Sequence, residues 1–147
     1  MSSSTQEAEI EIDRITVKRA LLSVYDKTGL EALARALHDR GVRLCSTGGT
    51  EQFLKKCGLP VTSVTDLTKS PEVFGGRLKT LHPLVHGGLL YRRELPSHIQ
   101  EAGEHNIEAF DLLVVNLYPF EETVAKPHST HQEIVEQIDI GGPAMLR

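Results

Sequence analysis

Gly75-Gly76-Arg77-Leu78-Lys79-Thr80-Leu81-His82-Pro83 sets two cations, a hydroxyl and an imidazole between a glycine pair and a proline. A run so polar and so punctuated makes a poor core element and a good site. Glycines let a backbone come close to a bound group, and Arg77 and Lys79 alternate, so in an extended segment they point the same way. The chemistry this suits is anion binding. A second run, Ser46-Thr47-Gly48-Gly49-Thr50, offers backbone N–H groups and hydroxyls where a helix is expected to start, and the helix dipole there favours an anion. It matches neither a Walker loop nor the dinucleotide fingerprint, which points to a mononucleotide or a sugar phosphate. A helix cap with a flexible entry accounts for the same loop, so that alternative stays open on the loop alone. Two further polar stretches complete the set: Asn116-Leu117-Tyr118-Pro119 after an apolar run, and Asp139-Ile140-Gly141-Gly142-Pro143.

Those stretches need elements to hold them. Residues 19–24 are a short, nearly continuous apolar run, the mark of a strand buried on both faces. Leu30, Leu33, Ala34 and Leu37 keep helical spacing behind a capping box of Thr28 and Glu31, and Gly41 falls where the helix should stop. The pattern then repeats, with a strand over 42–45, a loop, and a helix over 51–57 closed by Gly58. Such alternation predicts an α/β fold with a mainly parallel sheet and helices on its faces. Residues 61–64 are expected to be a third strand and 66–81 a long functional loop with one helical turn. A helical patch over 81–91 is expected to be interrupted by Pro83 and by Gly87-Gly88. Ser97 with Gln100 predicts a capped helix to about residue 105, and residues 110–116 read as the strongest strand in the chain. Thr130 and Glu133 form a third capping box for a helix over 132–138, and Pro143 suits the first position of a last helix. In an open parallel sheet ligands bind beyond the carboxyl ends of the strands, so the loops after these strands should meet on one rim.

Composition narrows the classes. The 147 residues suffice for one ordinary domain, and 39% hydrophobic with 24% charged residues is a globular balance. No apolar run is long enough to cross a bilayer, so no membrane association is expected. The net charge is −4, yet Glu7, Glu9, Glu11 and Asp13 come before the first Arg or Lys, and setting those four aside from the 20 acids leaves 16 against 16 bases. A neutral body lacks the basic stripe a nucleic-acid surface needs. Residues 1–18 are expected to be a disordered acidic tail, without the features of a secretion signal, and residues 19–147 one domain. Cys45 and Cys57 lack metal-like spacing and are too few for a disulfide scaffold, which fits reduced thiols in a cytoplasm.

Ser23-Val24-Tyr25-Asp26-Lys27-Thr28-Gly29-Leu30, Ser46-Thr47-Gly48-Gly49-Thr50, Gly76-Arg77-Leu78-Lys79-Thr80-Leu81-His82-Pro83, Asn116-Leu117-Tyr118-Pro119-Phe120 and Glu136-Gln137-Ile138-Asp139-Ile140-Gly141-Gly142 follow one another in this order. Together they resemble the inosine monophosphate (IMP) cyclohydrolase domain at the N-terminus of bifunctional purine biosynthesis enzymes, over about residues 19–147. The resemblance implies a methylglyoxal-synthase-like three-layer fold, a formyltransferase domain elsewhere in the full-length protein, a homodimer, and closure of formamidoimidazole carboxamide ribotide to IMP with loss of water. In that reaction a poorly nucleophilic carboxamide nitrogen must lose a proton as it attacks the formyl carbon, while the formyl oxygen gains negative charge and leaves as water. No cofactor or metal is called for. By resemblance Lys79 is the cation beside the formyl oxygen, Asp139 binds or deprotonates the carboxamide, and Tyr118 is the phenol of a proton relay. Lys27, Thr28, Thr47, Gly48, Gly49 and Thr50 are similar to a phosphate and ribose cradle, with Arg77, Thr80, Asn116, Gly141 and Gly142 as further pocket wall and Ser23 at its edge. Tyr25 stands where some members of the family have a smaller hydroxyl residue. The family carries a further catalytic lysine shortly after the motif that here ends at Met145-Leu146-Arg147, so a domain truncated inside its last helix is expected.

Plainer explanations stand beside each of these. Asp139 could cap the final helix, Tyr118 could be a core aromatic, and Lys79 a solvated lysine. His82 with His86, and His128 with His131, have spacings that can hold zinc on a helix, but neither pair has a matching third ligand. A methylglyoxal synthase would carry an acid directly after the glycine pair, where this chain has Arg77. A regulatory phosphate- or nucleotide-binding module of the same fold would need the Ser-Thr-Gly loop without the Lys79, Tyr118 and Asp139 set.

Overall fold

The computed structural model of the chain describes residues 8–147. Strands β1 (Arg19–Ser23), β2 (Arg43–Ser46), β3 (Thr62–Ser63) and β4 (Leu112–Val115) form one sheet in the order β3-β2-β1-β4. Every pairing is parallel, and Leu21 of β1 is in register with Cys45 on one side and Leu113 on the other. Parallel neighbours need crossovers, which begin with helices α1 (Leu30–Asp39) and α2 (Gly48–Lys56).

Alternation along the strands divides the interior in two. Ala20 and Leu22 of β1 and Leu44 of β2 pack with Leu30 and Ala34 of α1 and Leu54 of α2. Leu21 and Cys45 point the other way, onto Val64, Val85 and Met145 from α3 (Val64–Thr68), α4 (Pro83–Leu90) and α8 (Gly141–Leu146). The result is the expected three layers, helices on both faces of a parallel sheet. Leu21 and Leu22 have no solvent exposure, and truncating either to Ala would cost about 2–5 kcal/mol. Helices α5 (Pro96–Glu104), α6 (Phe120–Ala125) and α7 (His131–Glu136) complete the chain. Among the described residues no helix is long and apolar enough to cross a membrane.

Charge closes the amino end of the sheet. Arg19 is buried, its guanidinium carbon 4.1 Å from the centre of the Phe110 ring and its Nη1 donating to the Glu108 carbonyl at 3.0 Å. Arg43 pairs with the Glu108 carboxylate. Arg93 donates to Asp111 Oδ1 at 2.7 Å, and the other carboxylate oxygen accepts the Lys18 and Arg19 N–H groups at 2.8 and 2.9 Å. Burial alone would raise the Asp111 pKa, but these hydrogen bonds and the Arg93 charge outweigh it and hold the carboxyl below its ordinary value.

Several local expectations need correction. The Thr28–Glu31 box does not form: Asp26 Oδ1 takes both the Thr28 N–H and hydroxyl, at 2.9 and 2.7 Å, Gly29 becomes the N-cap, and Glu31 bonds Arg35 one turn on at 2.8 Å. α2 begins at Gly48, ahead of the expected 51, α3 is a short turn of helix that starts at Val64, ahead of the loop in which one turn was expected, and α6 was not foreseen. Gly87-Gly88 does not interrupt α4, because both glycines are packing positions: a Cβ at Gly87 would lie 2.9 Å from Ile107 Cδ1, and one at Gly88 2.5 Å from the Glu108 carbonyl oxygen. α5 starts at Pro96 with Leu95 as its N-cap, without the expected serine cap. The strand expected over 110–116 is shorter, β4 over Leu112–Val115, and lies at the edge of the sheet with half-buried residues. Pro143 is the third residue of α8, not the first. The Thr130–Glu133 box does form, with the Glu133 N–H donating to Thr130 Oγ1 at 3.2 Å and the Thr130 N–H to Glu133 Oε2 at 2.7 Å.

Of the expected tail, residues 1–7 lie outside the described residues. Residues 8–18 contain neither helix nor strand, while the Ile10 N–H donates to the Glu94 carbonyl at 2.7 Å and Arg92 bridges Glu9 and Glu94 at 2.6 and 2.7 Å. Cys45 and Cys57 are both free thiols.

Candidate active-site cleft

Because β1, β2 and β4 run parallel, the loops after them emerge on one side, and there they border a cleft of about 750 Å³. Ser23, Lys27, Thr47, Gly49 and Thr50 line it from the first two loops. Asn116 and Tyr118 line it from the loop after β4. The glycine-cation run contributes Arg77, Lys79 and Thr80, and the start of α8 contributes Asp139, Gly141 and Gly142. Thirteen of the fifteen residues singled out in the sequence therefore share one cavity wall, although they come from five separate stretches. Thr28 does not line it, since its hydroxyl and N–H are both spent on Asp26. Gly48 sits just behind the wall, where a Cβ would stand 3.4 Å from Lys79 Nζ.

The floor is braced by hydroxyls. Thr50 Oγ1 accepts the Val24 N–H at 3.0 Å and donates to the Val24 carbonyl at 2.9 Å, joining the end of β1 to the first turn of α2. Ser46 Oγ donates to the Leu22 carbonyl at 2.7 Å, and Thr47 Oγ1 lies 3.5 Å from Ser23 Oγ. Thr50 is thus a strut of the cleft, and Thr47 with Gly49 presents the helix start to it. Lys27 Nζ, which donates to the Val24 and Tyr25 carbonyls at 3.3 and 3.1 Å, flanks this helix start near Gly49. Lys79 approaches it from the opposite strand of chain, with the Glu72 carboxylate near the same two glycines, Gly48 and Gly76. Two ammonium groups beside the N-terminal N–H groups of a nine-residue helix make this end of the cleft receptive to an anion.

Backbone close approach shapes more of the cleft wall. Gly76 has φ +84, and a Cβ there would overlap Lys79 Cε at 2.5 Å. At Gly142 a Cβ would meet Asp139 Oδ2 and Leu117 Cδ2, each at 2.7 Å. The Asp139 carboxylate is oriented from two sides, accepting the Gly142 N–H at 2.8 Å and, more weakly, the Tyr118 N–H at 3.4 Å. Ile140 is the N-cap of α8, so Asp139 is not the expected cap, but it satisfies a first-turn N–H of that helix while facing the cleft. Arg77 is turned aside, pairing with Glu136 of α7 and donating to the Phe74 carbonyl at 3.0 Å. Asn116 is a clamp as well as a wall residue, for its Oδ1 accepts the Tyr25 and Asp26 N–H groups at 2.6 and 3.1 Å. His82 Nδ1 accepts the Leu84 N–H at 3.1 Å as the N-cap of α4, and among the described residues no group of three His, Cys, Asp or Glu is placed to hold a metal.

Sequence reasoning gives no role to Tyr25 or Glu136, both of which line the cleft. Glu136 had a signal, an acid within the Glu136-Gln137-Ile138-Asp139 motif that could match Arg77 in charge, though the two are 59 positions apart.

A three-layer α/β domain with an anion-receptive helix start at the carboxyl edge of its sheet is the class that this fold and cleft define. Residues 29–144 match the family described as the MGS-like domain, and the chain belongs to that family. It is 56% identical over 131 residues to the bifunctional purine biosynthesis protein PurH of Polynucleobacter asymbioticus, and 55% identical over 131 residues to PurH of Polynucleobacter necessarius subsp. necessarius. Each match covers 89% of this chain and 25% of the relative, so the chain spans about a quarter of the length of these curated relatives. A solved structure described as "Crystal structure of ForH" is 38% identical, with a TM-score of 0.77, covering 88% of this chain and 64% of that one.

Proposed function

We propose that the chain is an IMP cyclohydrolase domain acting in purine biosynthesis, closing formamidoimidazole carboxamide ribotide to IMP with loss of water. The observation that carries this reading is the meeting of Lys79, Tyr118 and Asp139 in one cleft that is also lined by Lys27 and the start of α2. The ribotide phosphate would lie at the start of α2 beside Lys27, with the ribose against Thr47 and Gly49. The Asp139 carboxylate, held by the Gly142 N–H, accepts a proton from the carboxamide nitrogen as that nitrogen attacks the formyl carbon. Lys79 stabilises the charge gathering on the formyl oxygen, which takes up the proton lost by the carboxamide nitrogen. The formamide N–H then gives up its proton as the C–O bond breaks, the Tyr118 phenol relays a proton to the departing hydroxyl, and water leaves as the ring C=N bond forms. The step is a dehydration with no net redox change, so side chains suffice. The identity to the PurH proteins over most of the chain supports the same reading. By resemblance the domain works in the cytoplasm as a homodimer, joined to a formyltransferase domain.

Two measurements test this. Calorimetric titration should show IMP binding to the chain, weakened by Lys27→Ala. Ultraviolet absorbance should report ring closure of the formylated ribotide, even if slow. A folded chain that neither binds IMP nor closes the ribotide would overturn the reading.

A further inference from the structure

Two tyrosines stand at the mouth of the cleft, one on the loop after β1 and one on the loop after β4. The rings of Tyr25 and Tyr118 meet edge to face, with centroids 6.2 Å apart and planes at 83°. Both are open to solvent, at 54% and 41% exposure, so burial does not fix either ring. The backbones beneath them are fixed. Asn116, two residues before Tyr118, accepts the Tyr25 N–H at 2.6 Å and the Asp26 N–H at 3.1 Å, and its Nδ2 donates to the Asp26 carbonyl at 2.8 Å. The Tyr118 N–H points to Asp139 at 3.4 Å. One amide side chain thus sets the spacing of two loops that are 91 positions apart in sequence. The Tyr118 phenol itself, on an exposed side chain, has the Tyr25 ring as its aromatic neighbour.

We propose that Tyr25 is a positioning residue, its ring holding the Tyr118 phenol over the cleft while Asn116 latches the two loops in register. The role of the phenol rests on the cyclohydrolase reading; the pairing of the rings does not. The contact is ring against ring, so the Tyr25 hydroxyl is dispensable and a phenyl ring serves in its place.

With three tyrosines and no tryptophan, the chain labelled with 3-fluorotyrosine gives three fluorine resonances, assigned by single Tyr→Phe replacements. Tyr25→Ala should move the Tyr118 resonance, Tyr25→Phe should leave it close to the parent, and an unmoved Tyr91 resonance reports an intact fold. In ring closure, Tyr25→Ala should lower kcat about 5- to 10-fold with KM within about twofold, the scale of one lost aromatic pair, and Tyr25→Phe should recover most of the loss. A Tyr118 resonance that ignores Tyr25→Ala overturns the proposal. So does a Tyr25→Phe variant as slow as Tyr25→Ala, because the hydroxyl would then be acting on the substrate directly. A parent chain with no IMP binding and no turnover would sink the cyclohydrolase reading, while the fluorine spectra would still decide the pairing.

Discussion

The two ends of the sheet handle cations in opposite ways. At the amino end, Arg19 lies under the Phe110 ring and bonds the Glu108 carbonyl, Arg43 pairs with Glu108, and Arg93 pairs with Asp111. At the carboxyl end, Lys27 bonds backbone carbonyls, and neither it nor Lys79 forms an ion pair within 4.0 Å among the described residues. Lys27 and Lys79 are half-buried, so their ammonium groups are partly solvated and stay open to neutralisation by an anion from outside. The amino end spends its charge on stability. The carboxyl end leaves two ammonium groups beside a helix start without an ion-pair partner among the described residues, and the proposed reading assigns them to the substrate.

That contrast can be broken most severely at Lys79. Lys79→Ala should reduce ring closure by about 10²–10³-fold, followed by absorbance, while leaving the urea midpoint of unfolding unchanged. A large fall in the midpoint would mean that Lys79 belongs with the structural cations. The mirror experiment is Asp111→Ala, which strands Arg93 and two backbone N–H groups and should cost about 3 kcal/mol in urea unfolding, with IMP affinity unchanged. Acid sharpens this further. The Asp111 carboxyl sits below its ordinary value in the folded chain, so its contribution is complete above about pH 4 and fades as the pH falls toward the folded value. Asp111→Asn should therefore have a shallower loss of stability on acidification than the parent, read as urea midpoints from neutral pH down to pH about 3. The smallest effect is expected at the rim, where Arg77 and Glu136 form an exposed pair. Glu136→Gln should raise IMP affinity by no more than about fivefold in a calorimetric titration, as Arg77 is released toward the cleft. A fall in affinity would show that the pair shapes the cleft where it stands.

Much of the architecture is legible in the sequence because it depends on local signals. Apolar runs mark β1 and β4, helical spacing marks α1, and parallel alternation puts the polar loops on one rim, where thirteen of the fifteen candidate residues line the cleft. Two sequence signals of the same kind had different outcomes for a physical reason. Thr130 and Glu133 found each other as a capping box, whereas Thr28 had a nearer acceptor in Asp26, and Glu31 a nearer donor in Arg35. Gly87-Gly88 resembles a break until Ile107 and Phe110 arrive from distant positions to use the space. The division of labour inside the candidate site was not legible either. That Thr50 and Asn116 spend hydrogen bonds on Val24, Tyr25 and Asp26 depends on contacts 26 to 91 positions apart.

Asp139 and Gly142 reach the cleft from the far side of the molecule's chain order, long after Ser23 and Lys27. On a ribosome the whole sheet is therefore available once Val115 has emerged, but the carboxylate wall is still being made. The growing chain acquires its scaffold first and the Asp139 wall last, so a nascent domain can begin packing before the cleft is complete.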